Sequence, residues 1–272
     1  RGDTVWLEEP GYPGARAAFS GAGAELVPVP VDEHGLNPNG NEGSPRAIYV
    51  TPSHQYPTGR LMPLARRLEL LDAAERFGAY VIEDDYDSEF QFQGRPVAAL
   101  QGLDPEGRVL YVGTFAKILQ PGLRVGYVVV PSALAEPITR IQRNTGQLVS
   151  VAVQLALAAF IEEGHLRAHV RRVCALYEQR QRVLAEGLSV HFTDMFSVER
   201  PAGGMQLIAR LQRDTNDVAM VKALAARGVQ ARALSSFYLG KAEAQGLLLG
   251  FAGYSHEAIE AGLREIKRLL DA

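Results

Sequence analysis

The residues best suited to chemistry are a lysine and an arginine seven positions apart, Lys117 and Arg124. They lie in the stretch Gly113-Thr-Phe-Ala-Lys-Ile-Leu-Gln-Pro-Gly-Leu-Arg-Val-Gly-Tyr127. An apolar run, Val109 to Val112, precedes them and another, Val125 to Val130, follows. The lysine is therefore expected in a small-residue turn between two strands. A lysine buried there beside a second cation loses its proton more readily and becomes a nucleophile towards aldehydes. An arginine holds a phosphate through charge-assisted hydrogen bonds. A phosphorylated aldehyde answers both, and pyridoxal 5'-phosphate is such a cofactor.

Other residues fit the same ring. Asp84 ends an apolar run, and a carboxylate facing a pyridine nitrogen keeps that nitrogen protonated, which makes the ring an electron sink. Tyr86, two residues on, can offer its phenol to the ring hydroxyl. Tyr12, in a Pro-Gly-Tyr-Pro turn, can stack on a planar ring, which adds about 1 kcal/mol beyond area burial. Thr114, three residues before Lys117, can donate to a phosphate. No metal site is expected.

These residues need a frame. Val5 to Glu8, Ala24 to Val31, Ala47 to Val50 and Ala79 to Ile82 read as strands. A helix is expected from Pro63 to Phe77, with Leu64, Leu68 and Leu71 at helical spacing. Strands alternating with helices predict an α/β domain with a largely parallel sheet, in which ligands sit beyond the carboxyl ends of the strands. Tyr12, His54, Asp84 and Lys117 all follow strand-like segments, which places them in one site.

From about Leu148 the texture changes. Helices are expected over Val149 to Glu163 and Leu166 to Gly187, then strands at Phe196 to Glu199 and Gly204 to Leu211. A helix follows at Asn216 to Arg227, with Asp214 or Thr215 near its cap. Strands at Val229 to Leu234 and Leu247 to Phe251 and a last helix, Ser255 to Leu270, complete a smaller α+β domain. The expected division is 1–165 and 166–272.

The chain has 272 residues and a net charge of −3, without the basic excess by which a segment grips DNA directly. One cysteine, Cys174, excludes an internal disulfide and fits a reducing, cytoplasmic setting. The longest uncharged stretch, Asn144 to Ile161, carries Ser150 and Gln154, so it predicts a buried helix rather than a membrane span. The chain starts directly in a strand pattern, which suggests that an earlier part is missing.

Glu83-Asp-Asp-Tyr86, Gly113-Thr-Phe-Ala-Lys117 and Pro121-Gly-Leu-Arg124 together resemble the fold-type I aminotransferases. Glu9-Pro-Gly-Tyr-Pro-Gly14, Thr51-Pro-Ser-His-Gln-Tyr-Pro-Thr-Gly59, Glu83-Asp-Asp-Tyr-Asp-Ser-Glu-Phe90 and Gly164-His-Leu-Arg-Ala-His-Val-Arg-Arg172 narrow the resemblance to the MocR branch of the GntR transcription regulators. In that family a winged helix-turn-helix domain precedes an aminotransferase-like domain that binds pyridoxal phosphate and senses metabolites. The resemblance covers nearly the whole chain. It implies Lys117 as the lysine joined to the cofactor aldehyde and Asp84 on the pyridinium nitrogen. It further implies Tyr86 on the ring oxygen, with His54 nearby, Tyr12 stacked on the ring, and Arg124 and Thr114 on the phosphate. It also implies a homodimer, DNA contact only through a winged helix absent from this chain, and no membrane. The glycine-rich phosphate loop of the family is expected outside the chain too, so some phosphate contacts come from the missing segment or a partner subunit.

Three positions depart from the aminotransferase pattern. Tyr56 stands where Asn usually precedes Pro-Thr-Gly, and Ala116 where serine usually precedes the lysine. Leu248 stands where a substrate-carboxylate arginine is common, and Arg232 is the candidate substitute. These departures favour an effector-binding domain, sensing an amine or amino-acid-like molecule. The alternative is a working aminotransferase acting on an amino acid or amine.

Overall fold

A computed structural model describes residues 1–272 except 42, 147, 214 and 272. The first half builds a mixed sheet. Its strands are β1 (Thr4–Glu9), β2 (Glu25–Asp32), β3 (Gly35–Leu36), β4 (Ala47–Val50), β5 (Tyr80–Asp85), β6 (Val109–Thr114) and β7 (Gly126–Val129). Their order across the sheet is β3-β2-β1-β4-β5-β6-β7. The neighbours from β2 to β6 run parallel, and β3 and β7 are antiparallel edges. The central strands are apolar on both faces, as a sheet covered on two sides requires. Trp6, Ile48, Val50 and Val81 pack on one face, and Val5, Leu7 and Tyr49 on the other.

Helix α1 (Pro13–Gly21) places Ala15 in the second of these clusters. Helix α2 (Leu64–Phe77) ends at Gly78, whose φ of 64° lets the chain turn left-handed, a conformation glycine adopts without penalty. The expected Leu64/Leu68 stripe is not its inner face. Leu64 and Leu68 are exposed, and Arg67, Leu70, Leu71, Ala73 and Ala74 are buried. Arg67 takes an inner position because it reaches the buried Glu83 at 3.4 Å and the carbonyls of Pro52, Met62 and Ala98. Strand β5 runs three residues past its expected end, to Asp85. Glu83 is satisfied there by Arg67 and by the amides of Leu100 and Gln101, which open the short helix α3 (Leu100–Leu103).

Helix α4 (Ser132–Thr145) was not signalled by the sequence, because Pro137 lies inside it. Helix α5 (Val151–Glu162) corrects the expectation of a buried helix. None of its residues is buried, and Val151 and Leu155 are exposed, because it packs along α6 (His165–His191) rather than on a sheet. No helix among the described residues is long and apolar enough to cross a membrane.

The second sheet is antiparallel, in the order β10-β11-β9-β8, from β8 (Phe196–Val198), β9 (Gln206–Leu211), β10 (Arg232–Ala233) and β11 (Gly246–Gly250). Its main core joins Leu207, Leu247, Leu249 and Phe251 to Leu184 and Leu188 of α6. Leu224 of α7 (Asp217–Ala225) and Leu263 of α8 (His256–Leu270) complete it. Asn216 caps α7 by accepting from the Ala219 amide, while Asp214 lies outside the described residues. The strand expected at Val229 to Leu234 shrinks to Arg232–Ala233, because Leu234–Phe237 winds into a 3-10 turn. The fold class is thus α/β with a mostly parallel sheet, as the sequence predicts.

Candidate functional site

A cavity of about 610 Å³ opens where the two sheets meet. The seven-stranded sheet supplies Tyr12, Thr51, Tyr56, Asp84, Tyr86, Thr114, Lys117 and Arg124, all beyond or at the carboxyl ends of parallel strands. The four-stranded sheet and its loops supply Met205, Gln206, Arg232 and the run from Gly250 to Tyr254. Six of the seven residues singled out in the sequence line this one cavity, and His54 does not.

Lys117 stands in the loop after β6 and is exposed to the cavity, which corrects the expectation of a buried lysine. Among the described residues its side chain makes no hydrogen bond or ion pair, so the amine is open to an incoming group. Thr114, at the end of β6, holds the turn by accepting from the Ala116 amide at 3.1 Å. Arg124 caps the 3-10 turn Pro121–Leu123 with φ 51° and ψ 38°. It is the one described non-glycine residue with positive φ, a conformation that costs an L-residue about 1 kcal/mol or more. Its guanidinium has no anionic partner among the described residues. An open amine and an unpaired cation thus line the same cavity.

Asp84 lies at the end of β5. Burial holds its carboxyl above the ordinary carboxylate range, against the hydrogen bond from Tyr49 and the field of Lys117, which both pull it down. Tyr49 donates its hydroxyl to Asp84 Oδ2, a contact the sequence reading missed. The signal was there: Tyr49 is the polar-tipped residue of an apolar strand. In the parallel pair β4–β5 it stands opposite Ile82, and Asp84 follows Ile82 on the same face. Asp85 points elsewhere, accepting from Ser88 Oγ at 2.7 Å and Tyr111 Oη at 2.6 Å.

Tyr86 reaches the cavity, and its hydroxyl donates to the His54 carbonyl at 2.9 Å. Burial holds the phenol well above its ordinary pKa. The His54 side chain is turned inward, where Nδ1 lies 2.8 Å from Asp87 Oδ1 and Nε2 lies 3.2 Å from Gln91 Oε1. His54 and Asp87 are each 1% exposed. That pairing, with Gly203 packed against the ring, removes His54 from the ring-oxygen role expected of it. Tyr12 is 43% exposed, with its ring edge-on to Tyr56 at 5.5 Å, and so offers a free aromatic face.

Two further residues were read from sequence as a departure, Leu248, and as its candidate substitute, Arg232. Leu248 is 4% exposed and packs with Ile208, Leu234 and Phe237. Arg232 lines the cavity and donates from Nη1 to Tyr56 Oη at 2.8 Å. Glu8, beneath the floor, was not noticed at all. It accepts from the Thr51 amide and hydroxyl and from Gln55, and burial pushes its carboxyl up to about 7.

The fold agrees with what similar proteins show. A family model described as aminotransferase class I and II matches residues 1–266, and the chain belongs to that family. The resemblance to MocR-type regulators is borne out as well. The chain is 44% identical over 267 residues to the probable rhizopine catabolism regulatory protein MocR of Rhizobium meliloti, covering 98% of this chain and 54% of that protein. It is 35% identical over 263 residues to the HTH-type pyridoxine biosynthesis transcriptional regulator PdxR of Corynebacterium glutamicum, covering 96% of this chain and 57% of that protein. The chain thus spans about half the length of these curated relatives. Among solved structures it is similar to LysN, an alpha-aminoadipate aminotransferase of Thermus thermophilus complexed with N-(5'-phosphopyridoxyl)-L-leucine. That match has a TM-score of 0.91 at 28% identity and covers 100% of this chain and 72% of the other.

Proposed function

We propose that this chain is the pyridoxal-phosphate-binding, effector-sensing part of a transcription regulator, responding to a small amine or amino-acid-like molecule. The observation that carries the cofactor reading is the single cavity in which the open amine of Lys117, the unpaired guanidinium of Arg124 and the carboxyl of Asp84 converge. The regulator half rests on the two regulators to which the chain is similar over nearly its full length.

The residues fit the cofactor. The Arg124 guanidinium would hold the phosphate, with the Thr114 hydroxyl beside it. Lys117 would offer its amine to the aldehyde. Burial raises the Asp84 carboxyl while Tyr49 and Lys117 pull it down, and a cationic ring nitrogen would stabilise its charged form further. Tyr12 would cover one ring face. Tyr86 would serve the ring oxygen by turning its hydroxyl from the His54 carbonyl. When bound, the cofactor supplies an aldehyde and an electron-withdrawing ring. Binding in a cavity walled by both sheets gives an effector a means to change how they sit. DNA binding through a helix-turn-helix segment of the longer protein, a homodimer and a cytoplasmic location belong to the same proposal.

Adding pyridoxal phosphate should give an absorbance band at the near-ultraviolet edge of the visible that Lys117→Ala abolishes. An unchanged band in the variant would remove Lys117 from its role. A second reading, a working aminotransferase, is favoured by the likeness to LysN. Half-transamination with a panel of amines and amino acids separates the two: turnover at metabolic rates would favour the enzyme.

A further inference from the structure

We infer that His169, on helix α6, is a positioning residue for Lys117: it holds the turn from which the lysine reaches the cavity. The inference rests on the proposed role of Lys117 and adds to it a residue that does not itself line the cavity. Lys117 sits in a single helical turn, closed where the Leu119 amide donates to the Phe115 carbonyl at 2.9 Å. One turn of helix leaves carbonyls that the turn itself cannot satisfy. The Ile118 carbonyl is one of them, on a residue that is 5% exposed. His169 Nε2 lies 2.9 Å from that oxygen, although it stands 51 residues further along the chain. A ring nitrogen facing a carbonyl carries the hydrogen, so Nε2 is the donor, and Nδ1 accepts from Arg172 Nη2 at 3.2 Å. Both ring nitrogens are thereby assigned, and the ring cannot turn over without losing both bonds.

The bond belongs to a row. Further along α6, Cys174 Sγ donates to the Glu89 carbonyl at 3.0 Å, Arg180 Nη1 to the Ala252 carbonyl, and Gln181 Nε2 to the Pro201 carbonyl at 2.9 Å. Each carbonyl lies in a segment that supplies the cavity: Glu89 soon after Tyr86, Pro201 shortly before Met205, and Ala252 in the wall itself. The C-terminal half of the same helix is anchored by Leu184, Ala185 and Leu188 in the core of the four-stranded sheet. One helix thus sets the main chain of several cavity segments, and His169 is the member that reaches the lysine. A lysine on a single turn keeps its amine in place only as well as that turn is held, and a misplacement of about 1 Å is enough to impair attack on a carbon.

The test compares two ligands of the whole chain. One is pyridoxal phosphate; the other is 4-deoxypyridoxine 5'-phosphate, which has a methyl group in place of the aldehyde and cannot join Lys117. Affinities are measured by absorbance and by calorimetry. His169→Leu fills the space and cannot donate. It should weaken pyridoxal phosphate binding about threefold to tenfold, as loss of one neutral hydrogen bond implies, and leave the methyl analogue unchanged. His169→Gln, whose amide nitrogen donates from a similar place, should restore most of the loss. Undiminished pyridoxal phosphate binding in His169→Leu, an equal loss for both ligands, or no restoration by His169→Gln would overturn the role. If His169→Leu does not fold, His169→Asn, too short to reach the carbonyl, takes its place. If the wild-type chain takes up no pyridoxal phosphate, the cofactor reading fails instead. The positioning is then read alone from the 13C resonance of Lys117 Cε. A shift in His169→Leu that His169→Gln reverses supports it; an unmoved resonance, or a shift that His169→Gln leaves in place, overturns it.

Discussion

Tyr49 donates its hydroxyl hydrogen to Asp84 Oδ2 across the parallel pair β4–β5. The bond favours the charged carboxylate, the form that a protonated ring nitrogen needs, while burial opposes it. Tyr49→Phe keeps the ring and removes the donor. Pyridoxal phosphate should then bind roughly tenfold more weakly, since a hydrogen bond to a charged group contributes about 1.5–3 kcal/mol. A titration followed by absorbance checks this, and equal affinities in the two proteins would show that Asp84 does not need its neighbour.

Arg124 combines an unpaired cation with a left-handed backbone. Arg124→Ala and Arg124→Gly both delete the cation, so both should weaken pyridoxal phosphate binding alike, by roughly tenfold or more. Their stabilities should differ. Glycine adopts this conformation freely and alanine does not, so the glycine variant should be about 1 kcal/mol more stable in urea.

Glu8 sets a pH dependence. Its carboxyl titrates at about 7 in the folded chain against an ordinary value of 4.5, because burial disfavours its charge. The folded pKa is the higher one, so this contribution to stability is complete below pH 4.5 and is lost as pH rises through about 7. The loss amounts to about 3 kcal/mol. Glu8→Gln cannot ionise and should flatten that part of the profile. Urea midpoints at about pH 5 and about pH 8 for the two proteins give the comparison; parallel profiles would mean that Glu8 is not the group responsible.

The Arg67–Glu83 pair locks the frame. Both side chains are buried, and Arg67 also ties the carbonyls of Met62, Pro52 and Ala98. Arg67→Ala strands a buried carboxylate and three carbonyls, and should cost about 3–5 kcal/mol. Arg67→Met with Glu83→Gln, which leaves no unpaired charge, should recover part of it. Denaturation midpoints of the single and double variants would reveal this; a double variant less stable than the single would contradict it.

Much of the site was legible because its residues follow strands, and a strand's end is readable from its apolar run. Tyr12, Asp84 and Lys117 were found that way, Tyr86, Thr114 and Arg124 by their spacing from them, and all six share a cavity. His54 obeys the same rule and yet points inward. Its partners Asp87 and Gln91 are 33 and 37 residues away, a tertiary pairing that no local pattern announces. Tyr49 and Glu8 escaped for the opposite reason: each sits inside an apolar strand, where sequence reads only burial. Helix α4 was hidden by Pro137, and α2 was misread because a buried arginine replaced a leucine on its inner face.

The cavity wall joins two separate apolar cores, and much of the seam between them is polar. Arg16 of α1 donates to the carbonyls of Phe237 and Tyr238, and Glu9 accepts from the amides of Leu239 and Gly240. Tyr56 adds an apolar contact across the same seam, its ring edge-on to Phe237 at 5.4 Å. A molecule seated in the cavity touches both walls and adds to these contacts. Calorimetry would register that as an unfolding temperature that rises as the molecule is added.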